Sequence, residues 1–97
     1  MAIIYISGPV SGDDNYQEPF NECENELIRQ GHTVLNPAWM PEGLKQRDYM
    51  RMSIAMLESA DTIVLLPGWQ NSKGAMIEKL YAEYIGLRVL ELEENYG

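Results

Sequence analysis

Four short β-prone runs alternate with three stretches of helical period along this chain. Residues 2–7 are almost continuously apolar and closed by Gly8-Pro9, which suits a strand buried on both faces. Residues 16–30 place Phe20, Cys23, Leu27 and Ile28 at helical spacing, with Gly31 as the stop. A second strand covers 32–36 and ends at Pro37; a loop with Trp39, Pro41 and Gly43 follows. The second helix covers 45–59, with Tyr49, Met52 and Met56 facing inward, joined by Ile54 and Leu57. The third strand is 61–66, turned by Pro67-Gly68-Trp69. A third helix starts after Asn71 or Ser72, either of which can cap it, and stops at Gly86. Residues 87–92 alternate as a fourth strand, and 93–97 form an acidic, exposed tail.

Strands and helices alternating with short connections predict one α/β domain over 1–97. Its fold class is a flavodoxin-like or Rossmann-like three-layer sandwich around a small parallel sheet of four or five strands. Ligands of such sheets bind beyond the carboxyl ends of the strands, where the strand order reverses. The loops at 8–14, 36–39 and 67–78 lie at that edge. His32 and Asp61 open strands and fall at the opposite one.

The composition narrows the partners. A net charge of −8 argues against a nucleic-acid duplex or an anionic membrane surface, while allowing a nucleotide in a locally neutral pocket. The single cysteine, Cys23, forms no internal disulfide, which points to a reducing, cytoplasmic setting. No apolar run is long enough to span a membrane.

Candidate chemistry concentrates on the third helix. Lys79 and Glu83 form an i,i+4 pair that belongs in water. Glu78 instead shares the face of Gly74, Tyr81, Ala82 and Ile85, where a carboxylate is costly unless something uses it. Either it bends out to solvent at the border of the stripe, or it is a working carboxylate at the floor of a site. Gly8 and Gly12 allow backbone N–H groups to approach an anion, or simply make turns; no P-loop is present. Ser72 caps the helix, or holds a phosphate together with the Lys73 and Gly74 N–H groups. Trp39 and Trp69 are packing anchors or stacking planes. Met50, Met52, Met56 and Met76 suit a core or a subunit contact. Cys23 reads as packing, and a lone histidine makes no metal site.

In chain order, Ile4-Tyr5-Ile6-Ser7-Gly8-Pro9-Val10-Ser11-Gly12, Gly31-His32-Thr33-Val34-Leu35-Asn36-Pro37-Ala38, Ala60-Asp61, Leu65-Leu66-Pro67-Gly68-Trp69 and Ser72-Lys73-Gly74-Ala75-x-x-Glu78-x-x-x-Ala82 cover essentially the whole chain. Together they resemble the small phage and bacterial relatives of the nucleoside 2-deoxyribosyltransferases and the 2′-deoxynucleoside 5′-monophosphate N-glycosidases. The resemblance implies that Glu78 attacks the anomeric carbon of a deoxyribose and that Tyr5 orients it. Ser72 would meet a 5′-phosphate, and the segment with Ser7, Gly8, Val10, Ser11 and Gly12 would wrap sugar and phosphate. Asn36, Ser53 and Gly74 would complete the substrate site, with Asn95 supplied by a neighbouring copy of a homodimer or larger assembly. It implies no cofactor and no metal.

Ser53 departs from the pattern, because the characterised enzymes carry an aspartate there, eight residues before Asp61. A hydroxyl cannot replace a general acid, whose loss costs on the order of 10²–10⁴ in rate. Asp48 lies roughly 140° away round the helix. The expected activity is cleavage or transfer of the N-glycosidic bond of a deoxynucleotide. The alternatives are a non-catalytic module that binds or sequesters a nucleotide, and a plain interaction domain.

Overall fold

Strand β1 (Ile3–Ser7) decides the layering, because its alternate side chains feed different cores. Ile4 and Ile6 pack with Val64, Leu66, Phe20 and Cys23 on one face of the sheet. Tyr5 points to the other, among Leu57, Ile63, Leu65 and Ala82. This two-residue period is that of any strand. The computed structural model describes residues 1–10 and 15–92; Ser11, Gly12 and Asn95 lie outside them.

Helix α1 (Gln17–Arg29) covers the first face and ends before Gly31, with φ +93°. Strand β2 (Thr33–Leu35) pairs parallel with β1. A short 3-10 turn at Pro37–Trp39 leads to helix α2 (Gln46–Glu58) and strand β3 (Thr62–Leu65). A second 3-10 turn, Trp69–Asn71, precedes helix α3 (Lys73–Tyr84), and strand β4 (Arg88–Glu91) closes the sheet. All pairings are parallel in the order β2-β1-β3-β4. The connections therefore diverge between β1 and β3, which makes the crevice at their carboxyl ends the place for a ligand.

This is the expected parallel α/β sandwich, with four strands. The predicted helices and strands all form, each within a few residues of its expected ends. The inward face of α2 differs: Ser53 and Leu57 are its buried residues, whereas Met52 is 39% exposed. Hydrophobicity favoured Met52, but the i,i+4 row through Tyr49, Ser53 and Leu57 is the one turned toward β1 and α3. Ile28 is likewise exposed on α1. His32 and Asp61 sit at the amino edge as expected, where their side chains accept hydrogen bonds from the Ala2 and Ile3 N–H groups. Among the described residues no helix is long and apolar enough to cross a membrane.

Gly8 ends β1 where the backbone passes close to β3. A Cβ there would lie 2.9 Å from the Leu66 Cβ, an atom fixed to the backbone. Gly8→Ala should therefore force the strand ends apart and destabilise the fold by about 1–3 kcal/mol, the usual range for overpacking. Urea denaturation should show an earlier midpoint with an unchanged slope; wild-type stability would contradict this packing.

Candidate active site

Helix α3 can approach the sheet closely because its buried stripe is built from small residues. Ala75, Glu78 and Ala82 follow one another at three- and four-residue spacing, and all three are buried. Glu78 is the long side chain in that stripe, and it is only 7% exposed. Its partners come from β1, where Tyr5 and Ser7 stand two residues apart on the same face. The Ser7 hydroxyl donates to Glu78 Oε1 at 2.6 Å, and the Tyr5 hydroxyl donates to Oε2 at 3.1 Å. Ser53, buried on α2, stands close enough to this pair to hold down the pKa of both groups. Strand β1 and two helices thus converge on one carboxyl group.

Burial raises the pKa of Glu78, and the hydrogen bonds from Ser7, Tyr5 and Ser53 only partly oppose that rise. Burial, followed by the nearby Glu78 charge, also pushes the Tyr5 hydroxyl far up, so it remains a hydrogen-bond donor. With both oxygens held by hydroxyls, the carboxyl group has one defined orientation. Such a group can attack an electrophilic carbon or stabilise a developing positive charge beside it.

Glu78 and Tyr5 line a cavity of about 300 Å³ at the carboxyl edge of the sheet. Ser53, Ser72, Gly74, Gly8 and Val10 also line it. Ser72 caps α3 by accepting from the Ala75 N–H at 3.2 Å, and no acidic residue lies in the first turn. Ser7 contributes through Glu78 and is not part of the cavity wall. Asn36 also stays out of the wall: its Oδ1 accepts from Ala38 N, and its Nδ2 donates to Asn21 and Glu24. Ser11, Gly12 and Asn95 fall outside the described residues.

Neither tryptophan lines the cavity. Trp39 is 73% exposed and donates to Glu24, while Trp69 donates to Glu91 with Lys79 above its ring. The aromatic walls are instead Tyr16, Phe20 and Tyr49. Tyr16 precedes α1, Phe20 lies on α1 and Tyr49 on α2, so of the two readings of the tryptophans the stacking plane does not apply to this cavity. Glu42 and Gln46, absent from the sequence-based list, also border the cavity.

The raised Glu78 pKa has a consequence for stability. The folded protein holds this proton more tightly than the unfolded chain, whose ordinary value is 4.5. The resulting stabilisation is fully present below that value and is lost as pH rises through the folded one. Relative to Glu78→Gln, wild-type stability in urea should therefore decline as pH rises from about 4.5. A difference that is flat, or that grows with pH, would contradict the direction of the shift.

Comparison with curated proteins gives no match. A family model described as a domain of unknown function, DUF4406, matches residues 2–91. That span includes all four strands, all three helices and every cavity residue named above. The chain belongs to the DUF4406 family.

Proposed function

We propose that the protein binds a 2′-deoxynucleoside 5′-monophosphate and cleaves or transfers its N-glycosidic bond through Glu78. The observation that carries this reading is the buried carboxyl group held by Ser7 and Tyr5 at the wall of a cavity that also reaches the start of α3. The first-turn N–H groups of a helix lack intrahelical partners and favour an anion. Ser72 and Gly74 border the cavity at that point, so a 5′-phosphate there would let the sugar extend toward Glu78. The motif resemblance described above supports the same placement.

In the proposed reaction a Glu78 oxygen bonds to C1′ as the bond from C1′ to the base nitrogen breaks, with that electron pair leaving on the base. Water or a second base then displaces Glu78 from the sugar. Tyr5 and Ser7 keep the carboxylate oriented during both steps. Ser53 offers a hydroxyl where an acid would assist the departing base, which favours one second reading: a module that holds a nucleotide without cleaving it.

A panel of deoxynucleoside monophosphates, assayed for free base, separates the two. Base release that falls by on the order of 10³-fold or more in Glu78→Ala is expected for the enzyme. Tight binding with an intact glycosidic bond would establish the second reading. No binding, or equal release by the variant, would reject the proposed role of Glu78.

The same proposal includes a homodimer or larger assembly in a reducing, cytoplasmic setting. Met76, Ile77, Leu80 and Tyr84 form an exposed apolar ridge on α3, with Tyr84 87% exposed. A second copy would remove that ridge from water. Cys23 is buried and unpaired, and burial pushes its thiol up to about 11, as suits packing rather than thiol chemistry. Light scattering should give a dimeric or larger mass that Leu80→Glu reduces to the monomer. A monomeric wild type would reject the assembly.

A further inference from the structure

The cavity has a second carboxylate that the proposed chemistry does not use. Glu42 lies in the connection before α2, and Gln46 opens that helix one turn later; both border the cavity. Among the described residues neither side chain has an ion-pair or hydrogen-bond partner.

Their support is more ordered than a loop position suggests. Glu42 and Gly43 form a turn in which Gly43 has φ +93°, the left-handed value required at the third position of a type II turn. The residues on either side of that pair are bridged by one side chain. The Tyr49 hydroxyl accepts from the Leu44 N–H at 3.2 Å and donates to the Pro41 carbonyl at 2.6 Å. It ties the two ends of the turn together. Tyr49 belongs to α2 and itself lines the cavity, so the helix holds Glu42 against the cavity at two points.

We propose that Glu42, positioned by Tyr49 and assisted by Gln46, reads the edge of the nucleobase. The inference rests on the nucleotide reading of this cavity and adds the class of base. A carboxylate offers two acceptors side by side and no donor. Its best complement is an edge with two adjacent N–H donors, a ring N–H beside an amino group, as in guanine. Adenine and cytosine present one amino group next to an acceptor. Thymine places its single N–H between two carbonyls, which the carboxylate repels. Tyr49 is a positioning residue for Glu42.

The test is calorimetric titration of the protein with dGMP, dIMP, dAMP, dCMP and dTMP, in a Glu78→Gln background that keeps the glycosidic bond intact. Wild type is screened in parallel by thermal shift. Hydrogen bonds to a charged group predict dGMP binding about 10-fold or more tighter than dTMP. Deoxyinosine monophosphate, which lacks the 2-amino group, should fall between them. Glu42→Gln should remove most of the dGMP preference: dGMP should bind more weakly, and dTMP, no longer repelled by the carboxylate, should bind at least as tightly as before. Tyr49→Phe should weaken dGMP in the same direction with less effect on dTMP, a selective loss that general destabilisation would not produce. Nucleotide binding without a guanine preference, or a preference that survives Glu42→Gln, overturns the inference and leaves the nucleotide site standing. No binding of any nucleotide to either protein overturns both.

Discussion

A carboxyl group drawn out of water must be met by donors, and in this protein that requirement ties the sheet to its helices. Glu78 leaves solvent on the stripe between Ala75 and Ala82, where hydroxyls from β1 and α2 meet it. An unmet charge in that position would cost several kcal/mol. Tyr5 and Ser7 can answer it because a strand sends alternate residues to one face. The same alternation sends Ile4 and Ile6 to the opposite core, so β1 serves both layers at once.

Helix α3 divides its circumference accordingly. The small residues bring its backbone near β1 and β3, and Glu78 spans the remaining gap. On the solvent edge Lys79 and Glu83 pair at 3.1 Å, an interaction of little energetic weight. Tyr81 donates to Glu58 and links the helix to α2. Its start, capped by Ser72, opens onto the same cavity as Glu78. Packing, orientation and access to the cavity thus depend on one twelve-residue element.

Most of this architecture was legible along the chain. The apolar runs, the glycine stops and the alternation of strands and helices marked the parallel sandwich, and the helical wheel separated Glu78 from the Lys79–Glu83 edge. Strand position assigned His32 and Asp61 to the far side of the sheet. What escaped depended on partners distant in sequence. Met52 is more hydrophobic than Ser53, yet Ser53 is turned inward because it meets Tyr5 and Glu78. Asn36 lies at the ligand edge but spends its amide on α1 and the following turn. The loop composition carries no signal for Glu42, whose turn is bridged by a hydroxyl from the following helix. Helical period and turn chemistry are local; these three assignments are not.

The central claim is that Glu78 faces the anomeric carbon of a bound nucleotide. A crystal structure of the Glu78→Gln protein soaked with a deoxynucleoside monophosphate tests it most directly. The phosphate should lie against Ser72 and Gly74, with C1′ of an intact nucleotide next to the residue-78 side chain. Nucleotide density that leaves residue 78 remote from the sugar, or a cavity left empty at saturating nucleotide, would contradict it.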